Sequence, residues 1–149
     1  MEGKNKLIVH GLMKVNDKFL LIKRTEIKRG KPNSYPLYWD IPGGMVEDNE
    51  LPSEALVREA KEEVNLDVSV SNIIHEDSNL DINKGIVFTR LVYLCNVLNN
   101  DISQIKLQLD EHNEYRLISE LSEMGSEKIV PYLEEIFEEE KHLVKQKTR

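Results

Sequence analysis

Two apolar-rich runs open the chain. Residues 6 to 15 and 18 to 24, with the cores "LIVHGLMKV" and "KFLLIKR", are broken by the turn-forming pair Asn16-Asp17. They predict a β-hairpin. A polar loop follows, "TEIKRGKPNSYP", and a short extended piece from Tyr38 to Ile41 leads into Pro42-Gly43-Gly44. Residues 52 to 64 carry helical character: Pro52 suits a first helical position, where a missing N–H costs nothing. Leu56, Val57, Ala60 and Val64 recur at helical spacing and predict the buried stripe. Asn65 is a plausible terminator because asparagine tolerates the left-handed conformation.

Farther along, "LDVSVSNII", "GIVFTRLVYLCNVL" and "EYRLIS" read as strands. A second helix is expected from about Ser126 to Lys145, with Ile129, Leu133, Ile136 and Phe137 on its apolar face. Strands on both sides of one helix, with another helix at the end, imply an α/β fold with a mixed sheet between helices. The 149 residues show no repeat, linker or low-complexity tract and suit a single domain, 1–149.

Composition narrows the function. A net charge of −7 argues against a protein that holds nucleic acid through backbone electrostatics. An anionic small ligand would need metal ions or a local cationic patch to offset that field. The lone Cys95 cannot close an internal disulfide, and its apolar run marks it as a buried small hydrophobe. No apolar stretch reaches membrane-spanning length, and the N-terminal segment lacks a signal-peptide pattern. A cytoplasmic setting is expected, and the oligomeric state, a homodimer included, is left open.

The densest chemistry lies in "GGMVEDNELPSEALVREAKEEVNLDV". Glu59, Glu62 and Glu63 stand three and four residues apart and share a helix face, expected to turn away from the apolar stripe. Like charges at that spacing cost roughly 0.2–0.5 kcal/mol per pair, a repulsion that a hard divalent cation converts to attraction. The alternative is a plain solvated face, the reading given to "LEEIFEEEKH" at 133 to 142, which has no glycine loop before it. Around 59 to 63 more is assembled. Arg58 can brace carboxylates four residues to either side, Glu54 and Glu62. Gly43-Gly44 permits close backbone approach. Glu50 can reach back to Arg58 or to loop amides.

In this spacing the segment resembles the Nudix box, G-x5-E-x7-R-E-u-x-E-E-x-G-u, with Gly44, Glu50, Arg58, Glu59, Glu62 and Glu63 in register and Ala60 and Leu66 at the bulky aliphatic positions. Asn65 replaces the pattern's glycine, at a position that asks for a helix-ending conformation rather than a reactive group. "WDIPGG" and "EHNEYRLIS" resemble the family's flanking segments, so the likeness covers nearly the whole chain. It implies a Nudix-type α/β/α sandwich and a MutT-like hydrolase of nucleoside diphosphate derivatives. It implies Mg2+, with Mn2+ as a substitute, on Glu59, Glu62, Glu63 and the Gly43 carbonyl. Gly44, Glu50 and Arg58 support those ligands from behind.

Other assignments reach beyond the box. Arg24, at the end of the second strand, is a candidate phosphate contact, with a surface arginine as the alternative. Trp39 is a candidate base-stacking residue, with a core role as the alternative. Lys28, Arg29 and Lys31 read as a solvated loop, and the histidines lack metal-ligand spacing. Relatives carry a water-activating acid before a late strand, which implies Glu111, flanked by Asp110 and Glu114. The proline of ADP-ribose relatives and the tyrosine of dinucleoside-polyphosphate relatives are both absent from "NLDINKG". A nucleoside triphosphate cleaved to monophosphate and pyrophosphate is therefore the first substrate expectation. A nucleotide sugar or other diphosphate comes next, and a non-catalytic nucleotide-binding module is the contrasting class.

Overall fold

The computed structural model describes residues 4–98 and 102–147. Strand β1 (Lys4–Val15) and strand β2 (Lys18–Arg24) form the expected hairpin, with Asn16 and Asp17 both at positive φ in its turn. The two strands exchange only the pairs Lys14–Phe19 and Val15–Lys18 before they part. The polar loop then folds on itself as a small separate hairpin, β3 (Ile27–Lys28) and β4 (Lys31–Pro32). Into the fork between β1 and β2 come two short strands. β5 (Trp39–Asp40) pairs with β2, and β6 (Gly43–Met45) pairs with β1. What reads as a pliable glycine loop is thus sheet, held at its centre.

Helix α1 spans Pro52–Val64, as the spacing predicts. Asn65 ends it in the left-handed region, φ 60 and ψ 37, its backbone N–H turned to the last helical carbonyls. β7 (Val68–Asp81) and β8 (Ile86–Val97) form a long antiparallel pair, and β8 runs parallel to β1. β9 (His112–Ile118) closes the sheet on the far side of β2. The path β5-β2-β1-β8-β7 is therefore a mixed sheet. Among the described residues, no helix is long and apolar enough to cross a membrane.

Alternation along the strands divides the core in two. Val9 and Met13 with Leu20 and Ile22 face α1, where Leu56, Ala60 and Val64 meet them. Leu12, Phe19 and Leu21 point the other way, onto helix α2 (Leu133–Lys147) through Leu133, Ile136 and Phe137. The result is the α/β/α sandwich. The second helix starts later than expected. Pro131 lacks an N–H and disfavours a helical residue before it, so 126–132 runs as a connection and Ile129 instead bridges to Trp39.

The α1 stripe also needs correction. Val57 is 43% exposed, while Ala55 and Glu63 are buried. Glu63 lies seven residues, two turns, past Leu56, which brings it back over the apolar line instead of away from it. Cys95 is buried and unpaired, as expected, and burial pushes its thiol up to about 12.

Asn65 also donates from Nδ2 to the Gln104 carbonyl, 2.9 Å away at the surface. Asn65→Gly gains an easier left-handed backbone and loses that exposed bond, two effects of opposite sign and each about 1 kcal/mol or less. We expect a thermal-unfolding difference within about 1 kcal/mol of wild type and unaltered divalent-cation binding. A larger loss would show that the 102–111 segment depends on this bond.

Candidate active site

The site begins with glycine packing. A side chain at Gly44 would collide with the Glu59 carboxylate, and one at Gly43 with the Val9 carbonyl and the His10 ring. These residues admit α1 and β1 at close range, and the need is spatial: neither carries a positive φ.

Arg58 gathers the acids around it. Its Nε and Nη2 donate to the two oxygens of Glu50 at 2.8 and 3.0 Å, and Nη1 donates to Glu59 at 2.9 Å and Glu62 at 3.2 Å. Nη2 also reaches the Met45 carbonyl at 3.2 Å. This forked, bidentate geometry is available to arginine and not to lysine. The hydrogen bond from Arg58, followed by that from the Glu47 amide, lowers the Glu50 carboxyl to about 2. Glu50 therefore meets both expected partners. Glu54 does not reach Arg58; it accepts from the Leu51 N–H at 3.1 Å and closes the first helical turn.

Glu62 is more than half exposed, whereas the Glu63 side chain is 3% exposed. Burial raises the Glu63 carboxyl well above its usual range, and the charges of Glu59 and Glu111 add to that rise. Glu59 is raised too, by burial, with Arg58 pulling in the opposite direction. Three acids crowd together with their common charge only partly answered.

Glu111 belongs to this cluster. It is buried, and its Oε1 receives Lys28 at 3.2 Å and Arg29 at 3.4 Å. The 102–111 segment is laced to α1 and to the β2–β3 connection. The Gln108 amide donates to the Glu63 carbonyl, the Glu111 amide to Gln108, and the Thr25 amide to Glu111. Glu111, the expected water-activating acid, is held firmly. Lys28 and Arg29, expected as solvated, hold it, while Lys31 is exposed. Asp110 and Glu114 stay outside the cluster, exposed, with Glu114 beside Lys23 at 3.9 Å.

A cavity of about 410 Å³ opens over these groups, lined among others by Arg24, Lys28, Arg90, Glu63, Glu111 and His112. Arg24 reaches it already engaged. Its Nη1 donates to buried Asp40 at 2.9 Å, its Nη2 to Asn33 at 3.0 Å and its Nε to the Ser34 carbonyl at 2.7 Å. Asp40 also accepts from the Tyr132 hydroxyl at 2.7 Å, and the Arg90 guanidinium stacks on the Tyr132 ring, 3.8 Å from its centroid.

Trp39 is corrected. It is 0% exposed, packed in the α2-side core with Arg116 over its ring, so no face is offered to a base. The histidines were missed because their partners are distant in sequence. His112 and His10 both line the cavity, the first beside Glu63 and the second 3.9 Å from Asp40. Burial lowers each imidazole to about 4, so both are neutral at pH 7. His75 is clasped between Asp77 at 2.7 Å and Glu139 at 3.2 Å. Burial opposes its charge, but those two carboxylates outweigh it and raise its pKa. The acidic run of α2 is thus less idle than it reads, since Glu139 has this partner and Glu140 is buried.

The donor set suits a hard divalent cation. Glu59 and Glu63 are carboxylates forced together in partial burial, and Glu63 Oε2 has no hydrogen-bond partner among the described residues. The model for the NUDIX domain family matches residues 5–139. This chain belongs to that family. Over 37 residues, 25% of this chain and 33% of the relative, it is 46% identical to an 8-oxo-dGTP diphosphatase of Proteus vulgaris. Over 94 residues, 63% of this chain and 52% of the relative, it is 32% identical to an ADP-ribose pyrophosphatase of Methanocaldococcus jannaschii. The chain thus spans a third to about half the length of these curated relatives. Among solved structures, a MutT protein from Methanosarcina mazei Go1 is similar at a TM-score of 0.74 and 26% identity, covering 97% of this chain and 99% of that one. A MutT NUDIX hydrolase from Burkholderia pseudomallei, at 0.71 and 17% identity over 91% and 98% of the two chains, shares the NUDIX fold.

The raised Glu63 carboxyl gives a signed expectation for the metal-free protein. The folded chain binds this proton more tightly than the unfolded one, so stability falls as pH rises above the ordinary carboxyl range and through the folded value. Melting temperatures in EDTA should therefore decline from pH 5 toward pH 8, and added Mg2+ should restore more at pH 8 than at pH 5. Glu63→Gln should flatten the decline and remove most of the Mg2+ effect.

Proposed function

We propose that the chain hydrolyses a pyrophosphate bond in a nucleoside diphosphate-linked substrate, most favourably a nucleoside triphosphate, giving monophosphate and pyrophosphate. The observation that carries this reading is the pairing of charges in one cavity. Glu63 and Glu111 share it with Arg24, Lys28 and Arg90, so cation-binding and phosphate-binding groups lie within one ligand's reach. Glu59, Glu62, Glu63 and the Gly43 carbonyl are the assigned ligands for Mg2+ or Mn2+. When bound, such a cation neutralises phosphate oxygens and makes water more acidic, the larger part of this chemistry.

The protein's own residues then supply position and proton handling. Arg58 keeps Glu59 and Glu62 aimed from behind, and Gly44 leaves Glu59 its space. Arg24, fixed by Asp40 and Asn33, presents its remaining N–H groups to a phosphate. Water attacks phosphorus, the bridging P–O bond breaks, and the leaving phosphate departs with that oxygen. Glu111, anchored by Lys28 and Arg29, is the carboxylate assigned to take the water's proton.

A second reading has its own observation. A neighbouring cavity of about 310 Å³ shares Ile8, Ser34, Asn79 and Arg90 with the first and extends to Lys84 and Phe88. A substrate with a second moiety beyond the diphosphate, such as the ADP-ribose named for the Methanocaldococcus relative or a nucleotide sugar, would use that extension.

Activity on a panel of nucleoside triphosphates, nucleotide sugars and ADP-ribose should vanish with EDTA and return with Mg2+ or Mn2+. Glu62→Gln and Glu63→Gln should each lower kcat by orders of magnitude, and Glu111→Gln by about a hundredfold or more with KM little altered. Glu138→Gln, on the exposed face of α2, should match wild type. Nucleotide binding without turnover anywhere in the panel would identify a binding module instead.

A further inference from the structure

His112 stands where the box motif makes no demand. It is the first residue of β9, directly after Glu111, and its backbone pairs with Arg24 of β2. Its amide donates to the Gln108 carbonyl, so the same short segment that ties Glu111 to α1 fixes this residue as well. The ring is buried against the floor of the cavity.

Four buried polar atoms of the lining residues lack partners among the described residues: His10 Nδ1, Arg90 Nε and two that lie together. His112 Nδ1 and Glu63 Oε2 are both buried, and neither has a hydrogen bond among the described residues. They face one another at 3.7 Å, beyond a good hydrogen bond. A buried polar atom left without a partner is costly, and here there are two side by side. Glu63, Glu111 and His112 each offer one ligand atom, all lying within 4.8 Å of one another. Two ligands that share one cation, each about 2.0–2.2 Å from it, lie about 3–4 Å apart. The separation and the two orphaned atoms fit a shared cation better than a direct contact. On Glu111 both Lys28 and Arg29 occupy the same oxygen, Oε1.

We propose that His112 Nδ1, with Glu63, forms a mixed nitrogen–oxygen cation position alongside the box glutamates and next to Glu111. This rests on the cation-dependent reading of the site above. An imidazole ligand has a consequence that an all-oxygen set lacks. Mg2+ prefers oxygen and keeps its waters, whereas affinity for a nitrogen-containing site grows along the first-row divalent ions, of which Mn2+ is the first and hardest. The site therefore selects Mn2+ over Mg2+, and His112 is the residue that sets this preference.

The test reads coordination rather than turnover. Mn2+ is titrated into the whole chain by electron paramagnetic resonance, and pulsed measurements look for nitrogen coupling to the bound ion. The expected result is a directly coupled nitrogen that changes isotope signature when the histidines carry 15N. It should persist in His10→Gln and be lost in His112→Gln, and competition should show Mn2+ preferred over Mg2+ by tenfold or more in wild type only. Bound Mn2+ with no histidine coupling, or coupling that survives His112→Gln, overturns the assignment while leaving the cation-dependent function intact. Coupling lost in His10→Gln and kept in His112→Gln overturns it too. Failure to bind Mn2+ at all overturns this proposal and the functional reading together. Should His112→Gln fail to fold, the 15N-labelled wild type and His10→Gln still decide between the two rings.

Discussion

A carboxylate on the buried line of α1 is the constraint around which this site is built. Glu63 lies two turns past Leu56, and the packing that seats Leu56 against β1 and β2 carries Glu63 inward with it. Burying an unpaired charge is expensive, so the usual solution is a neighbouring arginine or lysine. Here the nearby cations are committed elsewhere. Arg58 is spread over Glu50, Glu59 and Glu62, while Lys28 and Arg29 go to Glu111. Glu63 is left with a raised carboxyl and an oxygen without a partner among the described residues, an arrangement that a divalent cation would stabilise. Folding energy from the helix stripe thus offsets the strain of a site poised to bind one.

The sheet topology makes that strain tolerable. Because β1 and β2 part after two pairs, the fork admits β5 and β6, and the chain passes from Trp39 to Met45 through the middle of the sheet. Trp39 anchors one side in the α2 core, and Gly43-Gly44 lie against β1 and under Glu59 on the other. The acids of α1 therefore pack over backbone that is hydrogen-bonded into the sheet. Preorganisation of this kind matters more for ion binding than the count of glutamates.

Local patterns made the frame legible. The hairpin turn, the 52–64 helix and its asparagine cap depend on neighbouring residues alone, and the structure has each where the pattern puts it. The box spacing likewise brings Arg58 onto Glu62, one helical turn on, while Glu50 reaches it from the turn before the helix. Periodicity failed where tertiary packing chose between adjacent residues. Val57 and Glu63 flank the stripe on opposite sides, and burial fell to the acid. Pro131 shortened the last helix for a reason visible in the sequence but outweighed there by the apolar spacing of Ile129 and Leu133. Trp39 was ambiguous in principle, since burial and stacking favour the same residue.

The pairings that the sequence could not reveal are all long-range. Glu111, just before β9, meets Lys28 of β3, and His75 meets Glu139 across the sheet–helix interface. His112 approaches Glu63 through a connection of irregular backbone. No spacing rule applies to such pairs, and a −7 net charge gives no hint of where the cations concentrate. Yet their placement decides how an acidic protein receives an anionic ligand. Arg24, Lys28 and Arg90 line one cavity of a chain whose net charge is −7. At physiological salt the screening length is about 8 Å, so a distant acid matters less to a bound phosphate than a cation in contact with it. The local field, not the net charge, governs binding.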